Sequence, residues 1–181
     1  SLELPPTLDL KYESLMDAIS RGTQDGLNLA LQIGAMLLVL NALVALVNIL
    51  LGQIDLFGNP LSLELIMGWI FAPIAFVIGI PWSEAVSAGG ILGTKLILNE
   101  FIGYLQMVAM GDALSDRTQL ILTYALCSFA NLGSLGILVG GLGVLVPERR
   151  GEILSAAPKS ILSGTLVTLM TASLVALLSS L

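Results

Sequence analysis

Residues 93–101 read GTKLILNEF, with Lys95 and Glu100 placed in a strongly apolar context. This stretch decides the fold because its surroundings make both charges costly. The chain has 181 residues, of which 56% are hydrophobic and 11% charged, with a mean hydropathy of +0.96. An ordinary soluble domain carries about 25% charged residues. The charges are also segregated, with none between Asp25 and Asp55, Glu64 and Glu84, Arg117 and Glu148, or after Lys159. Apolar runs of about 18 or more residues can cross a hydrocarbon layer of about 30 Å, so the sequence reads as an integral membrane protein. A charge at the bilayer centre costs about 2.5–3.5 kcal/mol on insertion scales. Lys95 and Glu100 therefore need protein, water or ligand around them.

On an unbroken helix, a five-residue separation leaves two side chains about 140° apart. A break between Lys95 and Glu100 is the better solution. Residues 83–111 are expected to form a re-entrant hairpin that turns near residues 93–99, since AVSAGGIL and FIGYLQMVAM are each too short to span. Backbone exposed at such a tip needs protein or a wet cavity around it. A second interruption, SFANLGSLG (residues 128–136), puts Asn131 and Ser134 midway along the apolar run 118–146. Their amide and hydroxyl suit a polar ligand, or else a hydrogen bond between helices. Gly133 and Gly136 would permit unwinding or close approach. Paired discontinuous helices at mid-membrane are a recurring design of secondary transporters.

Working outward, residues 1–26 are expected to form an amphipathic interfacial helix, with Leu8, Tyr12, Leu15, Met16 and Ile19 at helical spacing. A helix packed on a partner domain is the alternative. Residues 27–51 make a transmembrane helix whose Asn41 and Asn48 share a face and suit hydrogen bonding to a neighbouring helix. A turn-rich loop leads to an oblique or extracellular apolar helix over 62–81, broken by Pro73. Ser83 is the expected N-cap of the next helix, with Glu84 in its first turn. A discontinuous transmembrane helix over 116–146 and a C-terminal one over 152–181 complete the chain. If residues 65–81 do not cross and residues 83–111 enter and leave on one side, Lys11, Arg21, Arg149, Arg150 and Lys159 share one face and Arg117 lies opposite. That excess sets the N-terminus in the cytosol and makes the hairpin enter from outside.

Several classes are disfavoured. Histidine is absent, Cys127 is the single cysteine, and the formal net charge is −6. Without histidine and with one cysteine in an apolar run, this composition disfavours an enzyme that needs a nucleophile with its base or a metal cluster, and it offers no basic patch for nucleic acid. The opening SLELPPTLDLKYE lacks a signal-peptide pattern and reads as the middle of a longer protein.

GTKLILNEFIGY and YALCSFANLGSLGILVGGL resemble motifs of the concentrative nucleoside transporters. The family pattern G-x-K-x-x-x-N-E-F is matched by Gly93, Lys95, Asn99, Glu100 and Phe101. Its usual valine and alanine are replaced by Ile102 and Gly103. The pattern CGFAN-x-x-S is matched by Cys127, Phe129, Ala130, Asn131 and Ser134, with Ser128 in the glycine position. PWSEAVSAGGILGTK and ISRGTQDGL extend the resemblance over essentially the whole chain.

This resemblance implies an all-α, multi-pass cell-membrane protein with transmembrane helices, a re-entrant helical hairpin and a discontinuous helix, one half of an inverted-repeat transporter. It further implies a homotrimer in the lipid bilayer, with an elevator-like shift carrying a nucleoside in symport with Na+ or H+. Glu100, Asn131 and Ser134 would bind the ribose, Phe129 would line the pocket, and Thr94, Lys95 and Asn99 would support the hairpin tip. No metal or other cofactor is implied beyond the coupling ion. The coupling-ion and nucleobase ligands belong to an earlier hairpin with a Gly-Gln-(Ser/Thr)-Glu motif, which is lacking here. The chain thus corresponds to the C-terminal half, and a missing N-terminal half would complete the transporter. The alternative is a gate-type membrane module of related fold without nucleoside transport, which would not need the Glu100, Asn131 and Ser134 set.

Overall fold

The computed structural model describes residues 12–179, apart from residues 57 and 146. Helix α1 spans Leu15–Leu51, followed by a two-residue antiparallel ribbon, β1 (Asp55–Leu56) and β2 (Asn59–Pro60). Helices α2 (Leu63–Val77), α3 (Trp82–Ile97), α4 (Glu100–Met110), α5 (Asp116–Leu126), α6 (Leu132–Leu145) and α7 (Arg150–Leu178) complete the chain. The architecture is that of an all-α membrane protein.

Helix α1 corrects one expectation. The Ser14 hydroxyl accepts from the Asp17 amide at its N-terminus, and the helix then runs unbroken through Gly26 and Leu27. A single glycine costs a helix only about 1 kcal/mol, and no proline interrupts it. The polar opening and the apolar continuation are therefore one rod; Leu8 lies outside the described residues. Leu38, Leu43, Leu46, Ile49 and Leu50 are exposed on this helix, an apolar surface suited to lipid or further protein.

Helix α2 passes through Pro73 without ending, and the chain then turns by 119° into α3. Gly79, at φ +103°, makes the turn, a backbone conformation that glycine adopts without steric cost. The two helices meet through glycines. A Cβ on Gly89 would lie 2.6 Å from the Gly68 carbonyl oxygen, and one on Gly68 would lie 2.8 Å from that of Val86. Ser83 is not the cap of α3. Pro81 holds the extended N-cap position, so the helix starts at Trp82 and Ser83 is already inside it. Glu84 instead accepts from the Ser115 amide (3.0 Å) and hydroxyl (3.1 Å), hooking the start of α3 to the start of α5.

The core lies where α2, α3, α5 and α7 meet, with Ala75, Ala85, Ala88, Ile121, Leu122 and Ala172 almost fully buried. Buried alanines on all four of these helices, Ala125 being that of α5, let their backbones approach closely, as membrane helix packing favours. Arg117 on α5 donates to the Ala176 carbonyl (3.0 Å) and the Ser179 hydroxyl (3.4 Å). A cation thereby meets the C-terminus of α7, where the helix dipole favours it. This contact, the Glu84–Ser115 hook and the Gly79 turn set the hairpin mouth, the start of α5 and the end of α7 at one side of the molecule. Helix α7 is long and apolar enough to cross a membrane alone, and Leu162, Leu166, Met170 and Leu174 on its outer face are exposed.

Candidate functional site

Two helix breaks build the site. In the first, α3 continues through Gly93, Thr94 and Lys95 to Ile97, leaving Leu98 and Asn99 between the helices. The turn is therefore shorter than the expected 93–99. Gly93 serves packing instead, because a Cβ there would clash with the Met67 side chain on α2. Asn99 caps α4, its Oδ1 accepting from the Ile102 amide at 2.9 Å, and Glu100 is the first residue of that helix.

The second break runs from Cys127 to Asn131, between α5 and α6. Asn131 is 1% exposed, and its Oδ1 accepts from the Ser134 amide at 2.7 Å. Its Nδ2 donates to Glu100 Oε2 at 2.9 Å. Gly133 seats the first turn of α6 against the hairpin tip, since a Cβ there would lie 3.2 Å from the Leu98 carbonyl oxygen. Ser134 belongs to α6 itself rather than to the break.

Lys95 takes a different partner. It is 2% exposed, and its Nζ donates to Ser128 Oγ at 2.8 Å. Lys95 stands in the last turn of α3, and Ser128 lies just past the end of α5. The cation therefore sits near two helix C-termini and the carboxylate near two helix N-termini, each matching the sign of its helix ends. Among the described residues the ion pairs are Asp17–Arg21 and Arg149–Glu152, so Lys95 and Glu100 are not directly paired. Their spacing in GTKLILNEF places each charge on its own side of the tip.

A cavity of about 520 Å³ opens between the second break and α7, lined by Ser128, Phe129, Ser134, Leu135, Ser160 and Gly164 among others. That volume suits a small organic molecule. Phe129 is 79% exposed. Glu100 and Asn131 do not line this cavity; Asn131 joins it through its bond to the Ser134 amide. The structure thus brings Phe129 and Ser134 to one cavity and pairs Glu100 with Asn131 outside its lining. Thr94 is buried against α1 and α2, beside a void of about 10 Å³ lined also by Val44 and Glu64, and its hydroxyl has no hydrogen-bond partner. Ser160 and Gly164 were missed in the sequence, where small residues on an apolar helix give little signal. Glu64 was missed too, although it accepts from Asn48 Nδ2 at 3.0 and 3.1 Å.

Residues 6–176 match the family described as Na+ dependent nucleoside transporter C-terminus. The chain is 47% identical to the nucleoside permease NupC of Helicobacter pylori, over 92% of this chain and 42% of that protein. It is 33% identical to human solute carrier family 28 member 3, over 92% of this chain and 27% of the relative. A solved structure of CNTnw in an inward-facing substrate-bound state superposes with a TM-score of 0.79 at 40% identity, covering 95% of this chain and 43% of CNTnw. The chain thus spans less than half the length of each of these relatives.

Proposed function

This chain belongs to the Na+ dependent nucleoside transporter family, and we propose from that premise that it forms the ribose-binding side of an ion-coupled nucleoside symporter. The observation that carries the reading is the Glu100–Asn131 bond, which joins the first turns of two broken helices at 2.9 Å. Glu100 is half-buried, and among the described residues its Oε1 receives no hydrogen bond. A half-buried carboxylate with a free oxygen, and with no direct ion pair among the described residues, is a strong acceptor for the vicinal hydroxyls of a ribose. A site built to receive hydroxyls rejects analogues that lack them, because its polar atoms are then left unpaired. Asn131 holds the carboxylate in place and offers its amide to the sugar, Ser134 adds a hydroxyl, and Phe129 gives the ligand an apolar face. Asn99 and Lys95 fix the tip from which Glu100 projects.

The nucleobase contacts and the Na+ or H+ site are assigned to an N-terminal half that this chain does not contain. The assembly is a homotrimer in the cell membrane, with the hairpin mouth facing outward. A gate-type module would have no use for a carboxylate and an amide poised in this way.

The test is Glu100→Gln in the complete transporter, with uridine binding followed by calorimetry. Hydrogen bonds to a charged acceptor contribute about 1.5–3 kcal/mol, so affinity should fall about 10- to 150-fold while the melting temperature stays near that of the parent. Unchanged affinity accompanied by lost thermal stability would overturn the assignment.

A further inference from the structure

We infer that Ser128 is a positioning residue for the sugar site: its hydroxyl holds the Lys95 ammonium at the end of α5 and so keeps the free oxygen of Glu100 open to ribose. This rests on the ribose reading above. A buried cation needs a partner, because an uncompensated one is strongly destabilising. Lys95 is 2% exposed, and the hydrogen bond its Nζ makes goes to Ser128 Oγ at 2.8 Å. The competing partner is Glu100, across a turn of only Leu98 and Asn99, and the two charges lie within electrostatic range of each other. Opposite charges attract more strongly as water is excluded. A direct pair would occupy the oxygen that the sugar needs.

The second break supplies the alternative. The Ser128 amide donates to the Leu126 carbonyl at 2.7 Å, and its Oγ accepts from the Ala130 amide at 3.5 Å. The backbone of the break therefore fixes the oxygen that receives the lysine. Unpaired carbonyls at a helix C-terminus favour a cation at the same place. Two departures from the family pattern meet here, Ser128 for glycine and Gly103 for alanine, and both neighbour Lys95. A Cβ on Gly103 would lie 3.5 Å from the Lys95 Cβ and 3.1 Å from Leu126 Cδ2. Ser128 thus provides the acceptor, and Gly103 the room for the lysine stem beside α5. A glycine at position 128 would have no side-chain oxygen to offer.

Uridine and 2′,3′-dideoxyuridine binding to the complete transporter tests the assignment, in the parent and with Ser128→Ala, each with and without Lys95→Met. Ser128→Ala frees the ammonium to pair with Glu100, so uridine should weaken about tenfold. The dideoxy analogue, which has no vicinal hydroxyls, should change by less than about twofold. With Lys95→Met there is no ammonium to divert, and adding Ser128→Ala should then alter uridine affinity by less than about twofold. Should Ser128→Ala not fold, Ser128→Gly takes its place, since the family pattern carries glycine there. Equal weakening of both ligands, weakening of neither, or the same loss of uridine in the Lys95→Met background overturns the role of Ser128. Glu100→Gln serves as the control. If it leaves uridine binding unchanged, the ribose reading itself fails, whereas a loss there with no effect at Ser128 removes this inference alone.

Discussion

Two asparagine–glutamate pairs in this molecule use the same chemistry for different ends. Asn48 on α1 donates through Nδ2 to Glu64, while its Oδ1 accepts from the Leu63 amide at 2.8 Å. Asn131 donates through Nδ2 to Glu100, while its Oδ1 accepts from the Ser134 amide. In both, one amide group satisfies an otherwise unpaired N–H in a helix first turn and orients a carboxylate. The first pair serves one helix start, that of α2, and fastens it to the intact α1. The second joins the starts of two different helices at two breaks, beside a cavity. The same hydrogen-bond set is a rivet where the helices are whole and an adjustable grip where they are broken.

The sharpest way to break this comparison is Asn131→Ala. It removes a cap and a bond to a carboxylate at a buried position, so stability should fall by about 2–4 kcal/mol in a denaturation series. Uridine affinity should fall at least about tenfold while uracil binding is kept. Equal loss of uridine and uracil would show that the residue does not serve the sugar. Next in size, Asn48→Ala should cost about 1–2 kcal/mol of stability with nucleoside affinity intact, since its partners all lie on α2. Weakened uridine binding there would erase the distinction between the pairs. Smallest of the three, Glu64→Gln keeps an acceptor for Asn48 and should shift stability by less than about 1 kcal/mol, again without a change in binding. A large loss of affinity would mean that the α2 carboxylate also belongs to the site.

Much of this was legible in the sequence, for identifiable reasons. Lys95 and Glu100 are conspicuous because the surrounding residues are oily, and their angular offset on a helix calls for a break. Asn48 was readable as a helix–helix hydrogen bonder for the same reason. The parts that were not legible depend on packing. Whether Gly93 bends a chain or admits a neighbouring side chain is decided by Met67, far away in sequence. The start of α3 at Trp82 rather than after Ser83 depends on which residue is extended, and Pro81 takes that position. The continuity of α1 was hidden by a change of composition that alters its surroundings but not its backbone. Ser160 and Gly164 acquire meaning only once α7 lies across the second break.

The two-residue hairpin tip has a mechanical consequence. With Leu98 and Asn99 alone outside the helices, there is no slack that can peel away as a flap. Any movement that parts Glu100 from Asn131 must swing α4 as a stiff lever or carry the whole hairpin along with its cargo.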